Sequence, residues 1–274
     1  MKDYFNKEIA GINVYYKESG EGYPLFLIPP WTASNMAFDG LVELLKDYPI
    51  KIIRPDLPGW GGKTKQKLED KSFGSYVEFI SDFINSFGFK KYAVLGYSLG
   101  NTFLLHAIAK KLINPEKLII ISGFHSRSNV FEVECDLNRN LKIYYLTRKL
   151  RIPKRGLKFI LANFYLYEMI VNDIYRRKYR YFTRLVGTSI FADFDSVMEP
   201  MLTLEELHGE QLKDYKGKSL VLYNSKEPWY FVRFTQEIAD MLGVKPVTIE
   251  AFSHRHFSFE PERSYDITRD FILR

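Results

Sequence analysis

The other candidate functional residues of this chain are interpreted relative to one segment, Tyr92-Ala93-Val94-Leu95-Gly96-Tyr97-Ser98-Leu99-Gly100-Asn101. Its first four residues form a short apolar run rich in strand-forming side chains, which predicts a buried strand. Two glycines then flank Ser98 in the pattern G-x-S-x-G, and a helical periodicity continues to Leu112. The stretch therefore predicts a strand, a tight turn that carries Ser98, and a helix.

Each of the two glycines has a mechanical purpose. A serine on a sharp strand-to-helix turn has a strained backbone, and neighbours without a Cβ allow close approach of the helix and an adjacent strand. The serine hydroxyl then lies near the helix N-terminus, where partial positive charge favours a developing anion. The alternative is a plain strand-to-helix turn with an incidental serine.

Composition bounds the class of protein. With 274 residues, of which 46% are hydrophobic, the chain can bury a large α/β core, and disorder is not expected. The single cysteine, Cys135, excludes an internal disulfide and a cysteine-based metal site, which favours a cytoplasmic location. The longest apolar stretch, 157–171, is interrupted by polar and charged residues, and no apolar run follows Met1, so neither a membrane span nor a signal peptide is predicted.

Apolar runs alternate with helical periodicity along most of the chain. Strands are predicted at 9–17, 24–28, 50–54, 92–95, 117–121, 219–223 and 246–251, and helices at 36–48, 72–87, 101–112, 229–242 and from about 261. This alternation predicts an α/β fold: a mostly parallel twisted sheet with helices on both faces, whose ligands bind at the carboxyl ends of the strands. Residues 124–200 are aromatic-rich and without a clear strand. We predict a core domain, 1–123 and 201–274, and an inserted helical cap, 124–200.

These features together resemble the α/β-hydrolase fold family. The resemblance covers the chain except for the cap. One match is the strand, turn and helix around Ser98, which resemble the nucleophile elbow of that family and are called the elbow below. The other is Asp56-Leu57-Pro58-Gly59-Trp60-Gly61, which matches the D-x-P-G-x-G stretch that lies past the fourth strand of the family. The family order is nucleophile, acid and histidine, so the resemblance implies that Ser98 is the nucleophile.

The resemblance also implies the two other members of a catalytic triad. Glu227 follows the apolar run 220–223 at the position where the family has an aspartate, and glutamate is an accepted variant there. The segment Phe252-Ser253-His254-Arg255-His256 looks like the family's G-H-x-x-x-x-E-x-P segment. Pro261 falls at the expected spacing from His254, although the glycine is replaced and Glu260 is one place late. His254 is the favoured base and His256 the alternative.

The loop that supplies the oxyanion hole departs most from the family pattern. The usual His-Gly pair is Pro29-Pro30, and proline has no N–H to donate. The resemblance assigns the donor to the next residue, Trp31, whose N–H is retained. We therefore expect an oxyanion hole made by the Trp31 and Leu99 amides. Because Pro30 fixes φ where the family has a free glycine, this departure bears on the reaction rate more than on the class of reaction.

Together these residues predict a serine hydrolase that cleaves a carboxylic ester, thioester or amide through an acyl-enzyme, with no metal or organic cofactor. A serine at the elbow argues against epoxide or halide chemistry, because the family members that this chemistry resembles have an aspartate at that position. An apolar ester or acyl substrate is expected, with contacts predicted from Tyr97, Phe159, Phe164 and Tyr167. The alternative is a non-catalytic or weakly catalytic small-ligand-binding protein on the same fold, suggested by Pro29-Pro30.

The predicted cap is strongly basic. Between residues 139 and 184 there are 13 Lys and Arg against two acids, Glu168 and Asp173, a net charge of +11. One interpretation is peripheral contact with an anionic membrane or attraction of an anionic acyl substrate. The other interpretation is a solvated cationic face, on which the aliphatic parts of the Lys and Arg side chains cover apolar helices. No nucleic-acid module accompanies the basic residues, so no nucleic-acid partner is expected, and nothing in the sequence indicates the oligomeric state.

Four other titratable residues are assigned no catalytic role. His106 is predicted to pack within its helix and His208 to be solvated. His125 follows the predicted strand 117–121, where a place at the hinge of the cap is favoured over contact with the rim of the site. Asp56 is interpreted as a structural loop carboxylate.

Overall fold

The structure is a computed structural model that describes residues 4–31, 33–132, 146, 149–150, 192–250 and 261–274. The described strands are β1 (Phe5–Ile9), β2 (Ile12–Ser19), β3 (Tyr23–Ile28), β4 (Ile50–Pro55), β5 (Ala93–Tyr97), β6 (Lys117–Ile121), β7 (Lys218–Asn224) and β8 (Val247–Ile249). The described α-helices are α1 (Asp39–Leu45), α2 (Phe73–Asn85), α3 (Leu99–Ala109), α4 (Arg127–Glu132), α5 (Phe194–Leu202), α6 (Trp229–Met241) and α7 (Glu262–Leu273), and 3-10 turns form at Asn35–Phe38 and Gly209–Gln211.

The eight described strands form one sheet in the order β1-β2-β4-β3-β5-β6-β7-β8. β1 pairs antiparallel with β2, and β2 pairs antiparallel with β4, whereas every other neighbouring pair is parallel. This confirms the predicted α/β class. Because β3, β5, β6 and β7 are parallel neighbours, the loops after them leave from one edge of the sheet, which is where ligands bind in such folds.

Alternate residues of the central strands pack on opposite faces of the sheet. Leu25 and Leu27 of β3 belong to a core with residues of α1 and α7, whereas Phe26 lies in a core with residues of α2, α3 and α6. Alternation with a period of two is the expected geometry of a strand. Helices on both faces leave the central strands fully buried, which explains why these strands read as continuous apolar runs.

The sequence predictions and the structure differ most at the first strand. A strand is predicted over 9–17, and its residues 12–17 are confirmed as part of β2, but β1 ends at Ile9 and the chain turns before β2 begins at Ile12. Ala10 and Gly11 both have positive φ, 48° and 75°, which makes a tight hairpin turn between antiparallel strands. The predicted start of α2 is confirmed, since the Ser72 hydroxyl accepts a hydrogen bond from the Ser75 amide at 3.3 Å.

α4 ends at Glu132 and α5 begins at Phe194, on either side of a stretch that lies almost wholly outside the described residues. These two helices contact each other. The Arg127 amide donates to the Glu205 carbonyl at 3.3 Å, and the Ser128 amide donates to the Glu206 carboxylate at 2.9 Å. We call this the α4–α5 junction. Residues 133–145 and 151–191 of the predicted cap lie outside the described residues, so the domain boundaries stay a prediction.

Candidate active site

Ser98 occupies a strained turn between β5 and α3. Its backbone has φ 54° and ψ −120°, a conformation that costs free energy for a residue with a Cβ. The Ser98 amide donates to the carbonyls of Ile121 and Ser122, each at 3.1 Å, so the turn is held against the end of β6. Residues kept in such strained conformations cluster at functional sites, and the predicted strand, turn and helix are all present.

Gly100 lets the loop after β3 lie against this turn. A Cβ at position 100 would stand 2.3 Å from the Ile28 carbonyl oxygen and 2.9 Å from that of Pro29. Ile28 also pairs with Gly96 across the sheet. The loop that carries Trp31 therefore begins in direct backbone contact with the first turn of α3.

Gly100→Ala is expected to lower the free energy of unfolding by about 1–3 kcal/mol, because the new Cβ would overlap backbone that cannot move independently. Urea unfolding of the purified variant measures this. Gly74→Ala is the matched control: the nearest atom to a Cβ there is the end of the Glu205 side chain at 3.3 Å, and a helical alanine should be neutral or stabilising. A Gly100→Ala protein as stable as Gly74→Ala would contradict the packing described.

The loop after β3 forms a turn around Trp31. The Ala33 amide donates to the Pro30 carbonyl at 3.1 Å, which places Trp31 inside the turn, and Thr32 lies outside the described residues. Leu99 is the first residue of α3, where amides have no acceptor within the helix. Both predicted donors thus lie on adjoining backbone, and their action on a substrate oxyanion stays a prediction.

Asn101 is a residue of the elbow whose role the sequence analysis did not identify. Its side-chain amide donates to the Ile121 carbonyl at 2.7 Å, and its side-chain oxygen accepts from the Ile121 amide at 3.2 Å. This pair of bonds joins the first turn of α3 to β6. An amide side chain three residues after the serine was the only signal in the sequence.

Glu227 lies after β7, at the edge of the sheet that carries Ser98. β7 is separated from β5 only by β6, so the two loops are near neighbours in the sheet order. The Glu227 amide donates to the Asn224 carbonyl at 3.1 Å, and the side chain of this glutamate is only 6% exposed. A buried carboxylate needs polar partners, as a triad acid has. His254 and His256 lie outside the described residues, so the histidine of the site stays a prediction.

His125 also leaves β6 at this edge, but its ring nitrogens are occupied. Nδ1 lies 2.7 Å from the Ser126 hydroxyl, and Nε2 lies 3.0 Å from a carboxylate oxygen of Glu237 on α6. Burial lowers the pKa of His125, although Glu237 opposes this effect. His106 Nε2 lies 2.9 Å from the His125 carbonyl oxygen, and burial lowers the pKa of His106 as well. These bonds give both histidines a packing role.

Asp56 is fully buried and ties two loops together. One carboxylate oxygen accepts from the Asn35 amide at 3.0 Å, and the other accepts from the Lys63 amide at 2.9 Å. Burial raises the pKa of Asp56, and these hydrogen bonds lower it in part. The contacts are those of a structural carboxylate.

Tyr97 precedes the serine and is buried in the core. Its side chain is 2% exposed and belongs to the cluster that contains Leu95 and Ile121. This gives the ring a packing role, and contact with substrate stays a prediction. The other predicted substrate contacts, Phe159, Phe164 and Tyr167, lie outside the described residues.

Two features are absent from the described residues. These residues contain no group of three or more His, Cys, Asp and Glu side chains placed to hold a metal ion. None of the described helices combines the length and the apolarity that a bilayer crossing requires. The basic stretch 139–184 falls almost wholly outside the described residues, so membrane contact through the cap stays a prediction.

Comparison with solved structures identifies the fold. A carboxylesterase from Nitrososphaera gargenis aligns at TM-score 0.74 and 17% identity, covering 99% of this chain and 98% of its own. A bromoperoxidase from Bacillus anthracis aligns at TM-score 0.77 and 13% identity over 98% and 100% of the two chains. An epoxide hydrolase variant from Bacillus megaterium aligns at TM-score 0.75 and 13% identity over 98% and 100%. The chain has the α/β-hydrolase fold. By sequence it matches no protein-family profile and no curated protein.

Proposed function

We propose that this protein is a serine hydrolase that cleaves a carboxylic ester, thioester or amide through an acyl-enzyme. The observation that carries the proposal is the backbone of Ser98, which has φ 54° at the junction of β5 and α3. A serine held in this way at the carboxyl edge of a parallel sheet is the nucleophile arrangement of the fold. The residue at the turn is a serine, whereas epoxide chemistry in this family resembles cases with an aspartate there, so acyl transfer is favoured over epoxide opening.

In the proposed mechanism the Ser98 oxygen attacks the substrate carbonyl carbon while His254 takes the hydroxyl proton. His256 is the alternative base. Glu227 holds the imidazole tautomer and stabilises the imidazolium, and the Trp31 and Leu99 amides bind the oxyanion. The bond from the carbonyl carbon to the oxygen, sulfur or nitrogen of the leaving group breaks as the histidine returns the proton to that atom. Water then hydrolyses the Ser98 ester by the same steps.

The substrate proposed is an apolar ester, and a panel of p-nitrophenyl esters of increasing acyl length tests this, run beside one amide and one thioester. Turnover of an ester with saturation kinetics supports the proposal. Labelling by a fluorophosphonate probe reports on the nucleophile independently of the acyl group. A chain that neither turns over any member nor reacts with the probe contradicts the proposal.

A second candidate function is ligand binding without turnover on the same fold. It is favoured by Pro29 and Pro30, which remove two amides from the oxyanion loop. In this case small acyl compounds would bind with measurable affinity by calorimetry, and Ser98 would not react with the probe.

A further inference from the structure

Helix α5 contains a proline, and this leaves one of its carbonyls without its helical donor. Pro200 has no N–H, so the Ser196 carbonyl, four residues earlier, cannot accept the usual helical hydrogen bond. The indole Nε1 of Trp60 donates to this carbonyl at 3.0 Å. Trp60 is fully buried and lies in the loop after β4, so the core supplies the donor that the helix lacks.

The next carbonyl of the same helix turn is held by a second tryptophan. The indole Nε1 of Trp31 donates to the Val197 carbonyl at 2.6 Å. Trp31 lies in the loop after β3, on the segment that carries the proposed oxyanion amide. Adjacent carbonyls of α5 are thus bound by indoles from two different loops at the carboxyl edge of the sheet.

The start of α5 is fixed to the core by other contacts as well. The Asp193 amide, at the N-cap of α5, donates to the Gly59 carbonyl at 2.7 Å. A Cβ on Gly59 would stand 2.3 Å from the Ser196 hydroxyl oxygen. These contacts fix the position of α5 relative to the core, and the indole of Trp31 is bonded to this helix.

The two prolines before Trp31 leave little freedom in the rest of the loop. Each proline fixes its own φ, and a residue that precedes a proline is restricted to extended conformations. Ile28 and Pro29 both precede a proline, so the chain from β3 to Pro30 follows a stiff path. The direction of the Trp31 amide then depends on the turn around Trp31 and on where its side chain is held.

We propose that Trp31 is a positioning residue whose indole bond to the Val197 carbonyl aims its own backbone amide at the substrate oxyanion. This inference rests on the proposed function. The stiff proline pair replaces the flexible glycine of the family pattern, and the indole bond supplies the remaining constraint. Helix α5, which is remote from Trp31 in the sequence, thereby becomes part of the support of the oxyanion hole.

Trp31→Phe tests this inference, because it keeps an aromatic ring and the backbone N–H and removes the indole donor. We expect kcat for the best p-nitrophenyl ester to fall by about 10- to 100-fold with KM nearly unchanged, since a displaced donor loses stabilisation of the transition state only. The affinity for a boronic acid, which mimics the tetrahedral intermediate, should fall by a similar factor.

Trp60→Phe is the matched control. It removes the same kind of bond from the neighbouring carbonyl of α5 without touching the oxyanion loop. Both variants are expected to lower the denaturation midpoint, but Trp60→Phe should keep kcat close to that of the wild type. If Trp31→Phe fails to fold, β-(3-benzothienyl)alanine at position 31 removes only the donor and keeps the bicyclic ring.

Each outcome separates the role of Trp31 from the proposed function. An active wild type with kcat of Trp31→Phe within about twofold of it, or an equal loss of kcat in both variants, overturns the role of Trp31 alone. A wild type that neither hydrolyses esters nor reacts with the fluorophosphonate overturns the proposed function, and the role of Trp31 with it.

Discussion

Ser98→Ala is expected to lower kcat/KM for ester hydrolysis by about 10⁴- to 10⁶-fold and to abolish labelling by a fluorophosphonate. The reason is that no acyl-enzyme can form without the hydroxyl, and the remaining donors stabilise only direct attack by water. Ester turnover and mass spectrometry of the labelled protein measure the two effects.

Ser122→Ala is the control for this result. Ser122 directly follows the neighbouring strand β6 and also has a positive φ, of 39°. Its buried hydroxyl has no hydrogen-bond partner among the described residues. The Ser122→Ala protein should be labelled and should turn over substrate like the wild type. Labelling that persists in Ser98→Ala, or that is lost in Ser122→Ala instead, would assign the nucleophile elsewhere.

Glu227→Gln is expected to lower kcat/KM by about 10³- to 10⁴-fold, because an amide neither stabilises the imidazolium nor fixes the required tautomer. The effect should be on kcat, with KM little changed, and it is measured by steady-state kinetics across pH. The size of the substituted group is conserved, so a similar unfolding midpoint is expected.

Glu237→Gln is the matched control for Glu227. Among the described residues, a carboxylate oxygen of Glu237 lies 3.0 Å from His125 Nε2. If His125 were the catalytic base, this variant would lose activity and Glu227→Gln would not. We expect the reverse, and near wild-type kcat/KM for Glu237→Gln, because both ring nitrogens of His125 are engaged in packing contacts.

Most central elements could be predicted because burial on both faces produces continuous apolar runs. β3, β6 and β7 are of this kind, and the glycine pattern around Ser98 located the elbow between β5 and α3. Element ends were harder to predict. The helix after the elbow was predicted to end at Leu112, but α3 ends at Ala109. After the end of α3, Lys111 adopts a positive φ of 57°. A lysine does not predict such a turn, because this conformation is typical of glycine.

The support of the candidate site could not be predicted from local patterns. The bond from the Trp31 indole to Val197 joins residues 166 positions apart, and the bond from Trp60 to Ser196 joins residues 136 apart. No individual helix is predicted around Pro200 from the sequence, so the carbonyl that this proline leaves without a donor becomes evident only with α5 in the structure. Which side chain would supply that donor depends on tertiary packing alone.

The α4–α5 junction has a consequence for how such a chain diversifies. Its two sides are bonded to each other, from Arg127 to Glu205 and from Ser128 to Glu206. Two points of the chain that are far apart in the sequence are therefore bonded directly to each other. We expect that exchanging the segment between α4 and α5 for one of different length or chemistry would change substrate choice and leave the sheet and the Ser98 turn in place, provided that α5 itself, which is bonded to Trp31 and Trp60, is kept.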